Sequence, residues 1–424
     1  MTAEMSLLAN GIRVVTDTMK DVETVSLGMW VDTGSRSETK ELNGISHVIE
    51  HMVSKGTKTR TAKQISEEIE NIGGIMNAYT SHEETAYYVK VLKGDVELAT
   101  DITADILLNP TFISEELGRE KGVIIQEIGM HYDDPEDHAF NLLQQQAFKD
   151  QAIGWPVIGT AENIKSFTSA SLKEFMSKQY FGSRMVFSAA GNISHEENVK
   201  LIEKYFGSVP KDGAPLPTNP ARYIGGEIKQ SRPIEQAQII LGFEGLSSKS
   251  DDYFVLGVLN TILGGGLSSR LHQEIREKRG LVYYTCSFNY AFDDTGLFGI
   301  YAGTGKESVP ELIPVAINEI GKITKELVSD EEINRAKTQL KSHILMASES
   351  TSARCDKNAR KTLLFGKPLS MADSVAKINA VTKDDVQKLA NKIFRSKLTL
   401  STLGAIEKTP SYEEITEALS VALV

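Results

Sequence analysis

Ile65-Ser66-Glu67-Glu68-Ile69, followed by Gly74-Ile75 and a β-rich stretch through Tyr87-Tyr88, has a counterpart in the second half of the chain. There the sequence reads Leu271-His272-Gln273-Glu274-Ile275, then Gly280-Leu281, then β-rich sequence from Tyr283 to Tyr301. Glu68 corresponds to Glu274 and Gly74 to Gly280 at one common offset. Farther along, Ile113-Ser114-Glu115-Glu116-Leu117 resembles Val328-Ser329-Asp330-Glu331-Glu332-Ile333 at a slightly larger one. Each half therefore reads as helix, helix, β-hairpin, several helices and a late strand (Met185–Ala190 and Leu398–Leu403). Strands and helices that do not alternate strictly argue for an α+β fold over a doubly wound parallel sheet. Fixed-offset similarity is the mark of an internal duplication. The expectation is two similar α+β domains, each a mostly antiparallel sheet packed with helices. Pro210, Pro215, Pro217 and Pro220, with Gly213, Asn219 and Gly225–Gly226, form a stretch that reads as a semi-rigid linker. The boundaries that follow are 1–208, a linker at 209–228, and 229–424.

The 424 residues include 46 Lys+Arg and 57 Asp+Glu, a net charge of −11, which disfavours a nucleic-acid partner. With 41% apolar and 24% charged residues, the chain can bury sizeable cores. Cys286 and Cys355 stand in no CxxC pattern, so neither a cysteine zinc site nor a disulfide scaffold is expected, and both read as packing residues. So few cysteines suit a reducing compartment. The start, Met1-Thr2-Ala3-Glu4-Met5, shows no secretory or presequence pattern. No run reaches the ~18 apolar residues of a membrane span. A soluble cytoplasmic protein with no membrane partner is the expectation.

Gly44-Ile45-Ser46-His47-Val48-Ile49-Glu50-His51-Met52 carries the chemistry. Ile45, Val48, Ile49 and Met52 fall at helical spacing, so the segment reads as a mostly buried helix. On it His47 and His51 share a face, with Glu50 beside them. Two imidazoles and a carboxylate on a packed helix are costly unless paired or coordinated. A bare HxxEH is compatible with hydrogen-bonded core histidines; it is also the inverted zincin motif. A third ligand must come from elsewhere. Glu120 and Glu127 are candidates on the buried-looking helix Arg119–Glu127, two turns apart. Spacing alone leaves either as an ordinary solvated charge.

HxxEH with Glu120 and Glu127 downstream, the midpoint linker and the repeat together resemble the pitrilysin/insulinase family of zinc peptidases, in its processing-peptidase branch. The resemblance spans essentially the whole chain. It implies His47, His51 and Glu127 as ligands of one Zn2+ per chain, Glu50 as general base, and Glu120 as a carboxylate steadying a ligand. At the repeat offset, His47, Glu50 and His51 fall on Tyr253, Leu256 and Gly257, so the second half carries no such set.

The resemblance also makes Asn77-Ala78 an edge strand that pairs with the substrate backbone. Arg276 and Tyr283 become groups that approach the substrate carbonyl; locally Arg276 reads equally well as a helix C-terminal cation. Gly264-Gly265-Gly266 lacks a following GK[ST] and reads as a helix–helix turn, not a phosphate cradle. His82 reads as a loop histidine. His131 to His138 reads as a solvated acidic turn interrupted by Pro135. By the same resemblance, Asp137 aligns with an acidic position that in processing peptidases helps hold a basic substrate residue, but the usual acidic companion is Asn141 here, which loosens any strict arginine preference. The expected activity is a zinc metalloendopeptidase for unfolded or short basic peptides, in a chamber formed by two chains. The expected assembly is a homodimer, with Arg276 and Tyr283 serving the partner's site. The rivals are an active subunit paired with an inactive homologue, and a non-catalytic structural or peptide-holding relative.

Overall fold

In the computed structural model, residues 3–424 are described; Met1 and Thr2, where the N-terminal reading begins, lie outside them. The first sheet comprises β1 (Glu4–Leu7), β2 (Arg13–Thr18), β3 (Thr24–Val31), β4 (Ile75–Thr80), β5 (Thr85–Leu92) and β6 (Met185–Gly191). Their order is β1-β2-β6-β3-β5-β4, antiparallel throughout except for the parallel β2–β6 pair. The second sheet comprises β7 (Gly226–Ser231), β8 (Gln236–Glu244), β9 (Tyr284–Ala291), β10 (Gly296–Gly305) and β11 (Thr399–Gly404). Its order is β7-β11-β8-β10-β9, with β7–β11 parallel. Without β1, the two orders are the same plan used twice. The fold is two similar α+β domains.

Local sequence accounts for the elements that flank the site. Helix α1 spans Ile45–Val53, and its Ile45, Val48, Ile49 and Met52 are all buried. Helix α2 (Ala62–Asn71) starts with a Thr61/Gln64 capping box and buries Ile65 and Ile69 one turn apart. After α3 (Val96–Leu108) comes α4, twenty residues from Ser114 to Asp133. Val123-Ile124-Ile125 does not bury α4 as a whole: Ile124 is fully buried, Ile125 is partly so, and Val123 faces solvent. Three consecutive positions on a helix spread over most of its circumference, so a short apolar run does not define a buried face. Helix α5 (Pro135–Ala147) begins at Pro135, with Asp134 as N-cap. Proline at the first turn starts this helix instead of breaking it.

Each sheet is covered on both faces, and the covering helices set the two compact units of the chain. The first unit runs to Gly129 and includes Trp155–Asn219 and Leu345–Met371. The second includes Met130–Gly154, Pro220–Ile344 and Ala372–Val424. The 209–228 linker is thus close to one crossing point, but two segments do not follow the linear division. On the first sheet, Cys355 and Ala359 of the helix Thr351–Phe365 pack with Val15, Trp30, Ala86 and Val186. On the second, Ala139, Leu142 and Leu143 of α5 pack with Ile240, Leu297 and Leu403. Each sheet buries one face under its own half's helices and the other under a helix from the opposite half.

Candidate metal centre

The start of α1 has no side-chain N-cap of the usual kind. Gly44 holds that position at φ +98°, and a Cβ there would meet the Gly159 Cα at 2.8 Å. Only glycine suits both the left-handed backbone and this approach. The free amides of the first turn are met from a distance by Glu38, which is buried. Its carboxylate accepts from the Gly44 N–H (2.7 Å), the Ser46 N–H (2.8 Å) and Asn43 Nδ2 (3.2 Å). Burial pushes the Glu38 carboxyl up to about 7, against the pull of those donors.

With the helix so anchored, His47 and His51 bring their rings to a centroid separation of 4.6 Å. Glu127 enters from α4: its Oε2 lies 3.6 Å from His51 Nε2 and 4.0 Å from His47 Nε2. One donor atom from each of His47, His51 and Glu127 can be chosen so that all lie within 4.8 Å of one another. All three residues are partly buried. Two imidazole nitrogens and a carboxylate oxygen converge here, a donor set that could hold a divalent cation of the zinc type. The observed pairs compare with about 3.3 Å between ligand atoms in a tetrahedron with ~2.0–2.1 Å bonds.

Glu120, two turns before Glu127 on α4, meets the far side of His51. Its Oε2 is 3.1 Å from His51 Nδ1, and its Oε1 is 2.8 Å from Lys55 Nζ. Donation from Nδ1 to Glu120 leaves the Nε2 lone pair facing Glu127, the tautomer a metal ligand requires. Burial alone would raise the Glu120 carboxyl, but Lys55 and His51 bring it below its ordinary value. Glu50 stands one residue from His51 and accepts from the Thr80 hydroxyl at 2.6 Å. Burial raises the Glu50 carboxyl; Thr80 and His51 counter that effect and Glu127 adds to it.

Asn77 and Ala78 lie on β4, an edge strand with β5 as its neighbour in the sheet. The Ala78 N–H donates to Asn77 Oδ1 at 2.8 Å. In the second unit, Arg276 and Tyr283 come together: the guanidinium carbon is 5.5 Å from the ring centroid, and Tyr283 is 84% exposed. Arg276 leaves a six-residue π-helical turn, His272–Glu277, and its Nη1 lies 3.3 Å from His272 Nε2. Asp137 is half-buried and paired with His131. His82 is half-buried, and desolvation of its ring lowers the imidazole to about 4, which keeps it neutral at pH 7. Cys355 is buried, whereas Cys286 is only partly so; neither is in a disulfide. Sequence reasoning missed Glu38 and Thr80. Thr80 left a signal in the strand alternation of Asn77-Ala78-Tyr79-Thr80, which puts Ala78 and Thr80 on one face; Glu38 left none, since its partners lie across an irregular loop.

Known proteins match this chain along nearly its whole length. The family described as Insulinase (Peptidase family M16) matches residues 13–161, and the Peptidase M16 inactive domain matches 166–340. A Bacillus subtilis protein named as an uncharacterized zinc protease is 36% identical over 402 residues, covering 95% of this chain and 98% of its own length. A Rickettsia felis protein of the same description is 40% identical over 401 residues, covering 94% and 97%. A probable mitochondrial-processing peptidase subunit beta of Arabidopsis thaliana is 36% identical over 425 residues, covering 97% of this chain and 80% of the relative. A chain of complex III from Candida albicans shares the fold, with a TM-score of 0.86 at 21% identity, over 98% of this chain and 99% of that one.

Proposed function

The chain belongs to the insulinase family, M16, of peptidases, and from that membership we propose that it is a zinc metalloendopeptidase acting on unfolded or short basic peptides. The observation that carries the reading is the convergence of His47, His51 and Glu127 beside Glu50. The donor set fits zinc: two imidazole nitrogens and one carboxylate oxygen. When bound, zinc supplies Lewis acidity toward water and the scissile carbonyl. The remaining roles belong to the chain. Glu50 takes a proton from the attacking water and delivers it to the leaving amine nitrogen. Glu120 holds His51 in the ligating tautomer through Nδ1. The β4 edge offers the peptide backbone a strand to join, and Asp137 offers a carboxylate to a basic side chain.

The reading extends to assembly. Arg276 and Tyr283 are already paired with each other, and Tyr283 is open to solvent. Acting on the site of a second copy, they would steady the developing oxyanion in a chamber enclosed by two chains. One relative is named as a subunit, which keeps a heteromer with an inactive homologue as the alternative partner arrangement. The two unbridged cysteines accord with a cytoplasmic setting.

Metal analysis joined to peptidase assays tests the core of the reading. One zinc per chain is expected, with cleavage of short basic peptides lost on chelation and restored by zinc. Glu50→Gln should keep the metal and lose about 10²-fold or more in kcat. Wild-type turnover in Glu50→Gln, or activity indifferent to chelation, would overturn it. Sedimentation that shows a fully active monomer would overturn the two-chain chamber alone.

A further inference from the structure

Thr80 is the last residue of β4, and its hydroxyl lies 2.6 Å from Glu50 Oε2. The two faces of the strand hold it in place. Met76 and Ala78 pack against the core that contains Ile45, Val48, Ile49 and Met52 of α1, so the face shared by Thr80 is turned to that helix. On the opposite face the Tyr79 hydroxyl meets Trp30 Nε1, Glu84 Oε1 and Asp356 Oδ1 at 2.9–3.2 Å. Threonine is β-branched and stiff at χ1, so its hydroxyl is a donor in a fixed place. A glutamate has three side-chain torsions and, without such a partner, would sample several carboxylate positions.

We propose that Thr80 is a positioning residue: its hydroxyl aims the Glu50 carboxylate at the attacking water. The proposal rests on the reading of Glu50 as general base. It adds that the edge strand offered to the substrate and the aim of the base are one mechanical element, because Thr80 continues the strand that carries Asn77 and Ala78. Misplacing a reacting group by about 1 Å can cost about 10²-fold in rate.

The test compares wild type, Thr80→Val and Thr80→Ser, each zinc-loaded, by steady-state kinetics, zinc content and thermal unfolding. Thr80→Val keeps the shape of the side chain and deletes the donor. Its kcat should fall about 10- to 100-fold while KM moves by less than about threefold. Zinc content should stay at the wild-type value. Thr80→Ser, which restores the donor, should recover kcat to within about fivefold of wild type. If Thr80→Val does not fold, Thr80→Ala takes its place in the same comparison. An unchanged kcat, a change confined to KM, a loss of zinc, or a Thr80→Ser variant as slow as Thr80→Val would each overturn the proposal while the peptidase reading stands. A zinc-loaded wild type without peptidase activity would overturn that reading and the proposal with it.

Discussion

Glu38 is 5% exposed, so its carboxylate has little water to rely on and depends on the Gly44 and Ser46 amides and the Asn43 side chain. Its folded value of about 7 stands above the ordinary glutamate value of 4.5. The folded chain therefore keeps a proton that the unfolded chain has released, and stability falls as pH rises from about 4.5 to 7. The effect is on the order of 3 kcal/mol at most. Glu38→Gln removes that titration: thermal unfolding across pH 5–7.5 should show wild type losing ground relative to the variant as pH rises. Parallel pH curves would refute the assignment. At this scale the sequence was legible where chemistry followed a helical period. His47, Glu50 and His51 could be placed on one helix from spacing alone, whereas the choice of Glu127 as ligand and Glu120 as support came through family resemblance. Their convergence depends on how α4 packs against α1, which no local pattern encodes.

Among the elements, β4 connects the fold to the proposed reaction most directly. Its neighbour β5 pairs with it along Ile75–Thr80, and no strand of the described residues pairs with its other side. An open edge invites another strand, and proteins normally blunt such edges. Here the Asn77 carboxamide already accepts from the Ala78 N–H, which partly covers it. Proline at position 78 deletes that donor at a place where edge strands tolerate it. Ala78→Pro should retain zinc and a cooperative unfolding transition while kcat/KM for peptides drops about tenfold or more. Unaltered kcat/KM would rule out backbone pairing at this edge. The hairpin itself was legible, because Asn77–Thr80 and Thr85–Tyr88 are strand-prone runs separated by a short polar turn. Its edge position was anticipated only through resemblance, since strand order depends on long-range pairing. The apolar trio of α4 misled for a related reason: it reported hydrophobicity without saying which third of the helix faced inward.

For the molecule as a whole, the duplication seen in sequence reappears as one strand order used twice, which is why the fold class could be read with no structure in hand. The exchange of Met130–Gly154 and Leu345–Met371 could not, because periodicity tells that a helix has an apolar face and not which sheet receives it. That exchange means a gene cut within 209–228 would yield two polypeptides, each carrying a cover that the other's sheet needs. Produced alone, each fragment should expose an apolar sheet face and aggregate or remain molten. Produced together, they should co-elute with native-like circular dichroism. Independent folding of either fragment would contradict the packing of α5 and of Thr351–Phe365. A free-standing half with this plan could finish itself only by borrowing a helix from a twin, so an ancestor of single length would have lived as an interlocked pair. Fusion of two such copies would make the exchange permanent within one chain.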